Sequence, residues 1–237
     1  MTASEELAEI NPKLPNNDIA DDFEVSFLPM RVVEEQTGKF EPSIIRKYVE
    51  VKKGYTSFID GDIIFAKITP CMENGKIAVL ENLKNGVGFG STEFHVIRLV
   101  DNNISKIYIF NFIIQEKFRK DAKRYMSGSA GQLRVPKYYL RETLIPLPPL
   151  AEQRRIVAEV ETRLSVCDKM EVTIAESLEK AEYLCHSILK KAFEGKLLNE
   201  KELEIARNAP DWEPAEKLLE RIKTEKTNTK AKNKGKK

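Results

Sequence analysis

Apolar and polar positions change rhythm twice along the chain. From "FEVSFLPMRVV" (23–33) to "EFHVIRLV" (93–100) the pattern is strand-like. "DIIFAKI" (62–68) and "KIAVLEN" (76–82) are rich in β-branched residues and flank "TPCMENG", a turn punctuated by Pro70 and Gly75. "KNGVGFGST" (84–92) reads as a glycine-rich loop before the next strand. "DNN" at 101–103 offers a helix cap, and "ISKIYIFNFIIQEKFRKDAKRYM" (104–126) reads as one helix, apolar first and basic later. "SGSAGQ" (127–132) breaks it, and "LRVPKYYLRETLIPLPPL" (133–150) predicts a short helix and an edge strand. Together these predict an α+β globular domain over 20–149, preceded by a flexible N-terminus over 1–19, which is acidic and punctuated by Asn and Pro.

After Pro149 the next glycine is Gly195 and the next proline Pro210. Two interleaved series, each seven residues apart, fill this stretch. One is Gln153, Val160, Cys167, Ile174, Ala181 and Ile188; the other is Val157, Leu164, Glu171, Leu178, Cys185 and Ala192. Ten of these twelve are apolar in a strongly charged segment, which predicts a coiled-coil seam on one long helix over 150–194, ~60 Å in length. Small residues at Cys167, Ala181, Cys185 and Ala192 would let a partner helix approach, and Gln153 and Glu171 would help fix register. Such a helix cannot bury its own seam. The "PLPP" run before it is a stiff joint, because proline fixes φ and holds the preceding residue extended. Residues 195–223 form an extension with a short amphipathic helix in "DWEPAEKLLERIK", and the low-complexity tail 224–237 reads as disordered and basic.

The net charge of +2 conceals a division: residues 221–237 carry eight basic residues and one acid, whereas 151–220 carry 11 basic and 16 acidic. Cys71, Cys167 and Cys185 have no metal-ligand spacing with each other or with His95 and His186, so reduced structural thiols are expected. No apolar run approaches the ~18–20 residues that span a bilayer, and the start lacks a signal region, so a cytoplasmic location is expected and no membrane partner.

Catalytic signatures are sparse. "GVGFG" leads into a strand, whereas a dinucleotide fingerprint opens a helix. Glu50 and Lys52 match the end of a nuclease signature, but E-x-K is common on surface strands. Nucleic acid fits better. Nine basic residues fall between Lys106 and Arg141, opposed there only by Glu116 and Asp121. Two loops offer base-reading side chains: Lys67, Thr69, Asn74 and Lys76 in "KITPCMENGK", and Ser127, Ser129, Gln132 and Arg134 in "SGSAGQLR". Ser91, Thr92 and Lys137 complete the candidate DNA-binding set. Two ordinary turns and a solvated helix face are the structural alternatives.

"KITPCMENGK", "GSAGQLRVPKYYL", "IPLPPLAEQRRIVAEVE" and "SILKKAFEGKL" resemble a type I restriction–modification specificity subunit, over residues 20–200. The resemblance implies a non-catalytic subunit that binds double-stranded DNA, each recognition domain reading half of a split target and the long helices forming a spacer. It also implies methyltransferase subunits, which use S-adenosylmethionine, and restriction subunits, which use ATP and Mg; this chain itself would hold no cofactor or metal. Typical members carry two recognition domains and two helices, and this chain matches one of each, with no internal repeat. Two copies paired antiparallel, or pairing with a different half-subunit, would complete the arrangement; a third alternative is that the chain is one half cut from a longer gene. The other functions open to the sequence are a coiled-coil adaptor with a protein-binding head and an autonomous nuclease or methyltransferase.

Overall fold

A computed structural model describes residues 2–15, 18–42, 44–129 and 131–234, with side chains to residue 227. It divides into two compact units, Met1–Ser165 and Val166–Lys237.

The first unit begins with β1 (Thr2–Ala3), α1 (Ser4–Leu7) and β2 (Ala8–Ile10), then β3 (Glu24–Leu28), β4 (Ile45–Lys47) and α2 (Tyr48–Val51). It continues through β5 (Thr56–Ile59), β6 (Ile63–Ala66), β7 (Ile77–Val79), β8 (Val87–Gly90) and β9 (Phe94–Leu99). Then come α3 (Lys106–Ile113), α4 (Glu116–Arg124), the hairpin β10 (Ser127–Ser129) and β11 (Gln132–Arg134), α5 (Lys137–Glu142) and β12 (Leu144–Ile145). The long helix α6 (Leu150–Phe193) spans the boundary between the units, and α7 (Glu200–Arg207) and α8 (Ala215–Lys234) follow.

Two four-stranded sheets form the scaffold, ordered β2-β9-β6-β7 and β4-β3-β8-β5, the second containing one parallel pair, β3 with β8. The apolar run in β6 follows from its central place. Ile63 and Phe65 point into a core shared with α3, α4 and α5, while Ile64 and Ala66 point into a second core with Leu28, Phe58 and Phe94. A strand covered on both faces has no polar face to alternate with.

Four expectations give way here. The N-terminus is not a flexible lead over residues 2–10: β2 is an edge strand paired with β9, Ile10 opposite Ile97, and Leu7, Ala8 and Ile10 are buried. Glu9 faces outward between Ala8 and Ile10, so an acidic composition conceals an inward apolar set. The glycine-rich segment is strand β8; a Cβ on Gly88 would collide with the Phe58 ring, and one on Gly90 with the Leu28 carbonyl. Residues 104–126 form two helices, because Gln115 is extended (ψ 140°), and the cap of α3 is Ser105 rather than the 101–103 triplet. Arg119, buried, donates to the Ile114 carbonyl that the break exposes, and to the Glu73 carbonyl. Finally, α8 continues through Lys234 where a disordered tail was expected from residue 224, and the extension holds two helices rather than one. No glycine or proline falls between Ala215 and Lys234 to stop it; residues 235–237 lie outside the described set.

The proline joint is held from inside the first unit. Proline carbonyls still need donors, and the Tyr108 hydroxyl donates to Pro146 O (2.6 Å) while the Gln153 amide donates to Pro148 O (2.8 Å). The Gln153 Oε1 accepts from Ser105 N at 2.8 Å. Gln153 is 1% exposed, so it anchors α6 to the domain instead of setting register in a seam. Val157, one turn later, packs partly buried against the first core. The packing of the globular unit therefore extends past the predicted boundary at Pro149, to Val157.

In the second unit α6 ends one residue before Glu194, and Gly195 (φ +68°) supplies the left-handed stop. Asn199 and Glu202 form a reciprocal capping box on α7.

Candidate nucleic-acid interface

Three segments distant in sequence meet through backbone hydrogen bonds. Lys67 N donates to Glu93 O (2.9 Å), Val135 N to Lys67 O (2.8 Å) and Thr69 N to Leu133 O (3.0 Å). These join the end of β6, the turn between β8 and β9, and the β10–β11 hairpin. Buried His95 sits beneath the junction. Its Nε2 bonds the Val135 carbonyl at 2.8 Å, and the Asn11 amide nitrogen lies 3.1 Å from Nδ1. With Asn11 Oδ1 accepting from Val96 N, the consistent assignment is a neutral ring protonated at Nε2. Burial pushes the His95 pKa down, which favours that neutral form.

Of the candidate set, Lys67, Thr69, Ser91, Thr92, Ser127, Ser129, Gln132 and Arg134 fall on these three segments, and Lys137 begins the helix that follows. Thr92, Ser127, Ser129, Gln132 and Lys137 are exposed. The Ser91 Oγ accepts from Glu93 N at 3.2 Å and shapes the turn. The Thr69 hydroxyl lies 3.9 Å from the Met126 sulfur. Asn74 and Lys76 stand apart from this cluster. Asn74 donates to Glu35 (2.9 Å), and the Lys76 ammonium is bonded to the Val33 and Met30 carbonyls at 3.0 and 3.4 Å.

Glu93 is the member that sequence reading omits. Its two oxygens accept from Arg134 Nε and Nη2 at 2.8 and 2.7 Å. That paired hydrogen bond holds the carboxyl pKa below its usual range. Nothing in local sequence signals a partner 41 residues away.

The count of basic residues between Lys106 and Arg141 also changes in three dimensions. Acids from elsewhere reach six of the nine or pair within the helix: Lys106–Glu81, Lys120–Glu116, Lys123–Glu73, Arg124–Asp121, Arg134–Glu93 and Arg141–Glu5. Arg119 is spent on carbonyls, which leaves Lys117 and Lys137 as the cations of this group without an ion pair among the described residues. Apart from the doubly bonded Arg134–Glu93 pair, exposed pairs of this kind are weak and can exchange for phosphate. Tyr139 packs at a tilt against Tyr125 and Phe118, and burial pushes its hydroxyl up to about 12, so it is un-ionised at neutral pH.

The nuclease-like pair does not form a site. Glu50 lies on α2 and reaches Arg46 (3.7 Å), and Lys52 bonds Asp21 (2.6 Å). Among the described residues no cluster of His, Cys, Asp and Glu could hold a metal, and no helix is long and apolar enough to cross a membrane. On α6 the predicted seam is exposed from Leu164 onward, through Cys167, Ile174, Leu178, Ala181, Cys185, Ile188 and Ala192, and Met170 and Leu184 flank it.

A scaffold of two sheets, a polar hairpin beside two turns and a 44-residue helix define the class. Residues 3–180 match the family model for the type I restriction modification DNA specificity domain, and the chain belongs to that family. It is 42% identical over 183 residues to the EcoAI specificity subunit of Escherichia coli and 41% identical over 184 residues to the EcoEI specificity subunit. Those alignments cover 77% and 78% of this chain but 31% of each relative, so the chain spans about a third of their length. The solved HsdS subunit of Thermoanaerobacter tengcongensis shares the fold at TM-score 0.62, with 23% identity over 80% of this chain and 48% of that one. A chain from a structure of type I R-M complex assembly and conformational transition aligns at TM-score 0.59 and 18% identity, over 82% of this chain and 45% of that one.

Proposed function

We propose that the first unit reads one half of a bipartite DNA sequence for a type I restriction–modification complex. The observation that carries this reading is the convergence of the hairpin 127–134, the strand end 67–69 and the turn 91–93. There, exposed Gln132, Ser127, Ser129 and Thr92 make no side-chain hydrogen bonds among the described residues and are available to base edges and phosphates. Lys67 and Lys137 supply cations beside them. The role is binding rather than catalysis: methylation with S-adenosylmethionine and ATP- and Mg-dependent cleavage belong to companion methyltransferase and restriction subunits.

The exposed stripe of α6 is the pairing surface of the spacer. Its occupant is either a second copy in antiparallel orientation or a different half-subunit. A homodimer reads an inverted repeat, since its symmetry is imposed on the target.

Sequencing methylated DNA from cells that carry this gene and its companion subunits tests the reading. A split recognition sequence is expected, and replacing Gln132 with Ala should relax it at one position by ~1–3 kcal/mol of discrimination. Methylation unaffected by deletion of this gene would refute it. In vitro, binding should weaken steeply with salt.

A further inference from the structure

An arginine side chain carries five N–H donors. In Arg134 three are engaged: Nε with Glu93 Oε2, one on Nη2 with Glu93 Oε1, and one on Nη1 with the Gln132 carbonyl at 3.2 Å. Two remain, one on each terminal nitrogen. Donors side by side on the two terminal nitrogens match the O6 and N7 acceptors of guanine in the major groove. Glu93 itself is held: its backbone N–H is fixed by Ser91 Oγ and its carbonyl by Lys67 N. A carboxylate on a surface that meets phosphates is repelled by them, so its presence beside the hairpin calls for a compensating role. Fixing a long, rotamer-rich side chain before DNA arrives is such a role.

We propose that Glu93 is a positioning residue that presents the outward fork of Arg134 to one guanine, making Arg134 a specificity determinant for that base. This rests on the DNA-reading function proposed above. Gln132, Ser127, Ser129 and Thr92 make no side-chain hydrogen bonds among the described residues, whereas the orientation of Arg134 is set in advance by a paired acid.

The test uses the complete chain assembled with its companion methyltransferase subunits and a duplex carrying the mapped target. Each guanine is replaced in turn by 7-deazaguanine, which lacks the N7 acceptor. At one position the parent should lose affinity by on the order of tenfold. That penalty should shrink to about twofold or less in both Glu93→Gln and Arg134→Lys, since one loses the orientation and the other the fork. Glu93→Gln should also bind unrelated DNA more tightly, because a negative charge beside phosphates is gone. A parent indifferent to every 7-deazaguanine overturns the proposal while leaving sequence reading intact. So does a penalty that persists undiminished in the variants, which is the result a merely structural clip on the hairpin would give. A parent that prefers no sequence overturns the DNA-reading function and this inference together.

Discussion

In the unit Met1–Ser165, Phe58, Phe65 and Phe94 are at most 1% exposed, whereas in Val166–Lys237 Ile174, Leu178 and Phe193 are 64%, 62% and 92% exposed. The first unit buries an apolar core within one chain, whereas no apolar side chain of the second is buried among the described residues. Hydrogen bonding follows the same division. Asp62, 1% exposed, is answered by Arg98 through two bonds of 2.8 and 2.7 Å, and Gln153 has three partners, on the 103–105 loop and the proline joint. Side chains on α6 beyond Ser165 bond back to their own helix, as Thr173 and Ser177 do. A region complete in itself is judged by its own unfolding. A region with an open stripe is judged by what it associates with.

The largest separation between the two should come from apolar positions. Phe58→Ala removes a ring that packs on both sheets and should destabilise the first unit by ~3–5 kcal/mol, independent of protein concentration, in urea unfolding followed by the near-UV circular dichroism of its tyrosines. Leu178→Asp places an unpaired charge in the stripe and should cost a comparable ~3–5 kcal/mol of association, read as a fall in mass by light scattering. The first unit's own unfolding midpoint should not move. A lowered midpoint with unchanged mass would erase the distinction drawn here.

Gln153→Leu keeps the volume of the anchor but leaves Ser105 N without its acceptor. It should cost ~1–3 kcal/mol in the same unfolding measurement, although the residue lies on α6. Acidification comes next. The neutral His95 is favoured in the fold, with a pKa below its ordinary 6.5, so the unfolded chain binds the proton more readily. Stability from this source is complete above about pH 6.5 and is lost as pH falls through the folded pKa. Glu93, lowered from 4.5, acts in the same direction at more acidic pH. The urea midpoint should therefore fall on acidification from about pH 7.5 to 5.5, and His95→Gln should flatten that slope. The smallest effect belongs to Arg163→Ala: its exposed i,i+4 bond to Glu159 should contribute no more than ~0.5 kcal/mol.

What the sequence made legible depended on how locally each feature was encoded. The β6–β7 pair, α5 and α6 could be read because periodicity and punctuation lie within each segment. Strand β8 was hidden by its glycines, which usually mark loops but here make room for the Phe58 ring and the Leu28 backbone. The division between α3 and α4 has no glycine or proline at 114–115 to announce it. At the candidate site the polar hairpin could be read, whereas the engagement of Lys76, the neutralising acids Glu73, Glu81 and Glu5, and the Glu93–Arg134 pair depend on long-range contacts. Gln153 fitted the seven-residue series by spacing, yet three partners in the fold claim it.

Strand β1 pairs with β12, Thr2 opposite Ile145, and Ser4 N adds a bond to Thr143 O at 2.9 Å. Residues 2–3 and 144–145 thus lie about one strand spacing, ~4.8 Å, apart. Everything between Ser4 and Thr143 is an excursion that departs from one doorway and returns to it. Residues 67–69, 91–93 and 127–134 all lie inside that excursion, and the β1–β12 pair sets the path into α6 from outside it. On the DNA-reading function proposed above, what is read can then change without altering that path.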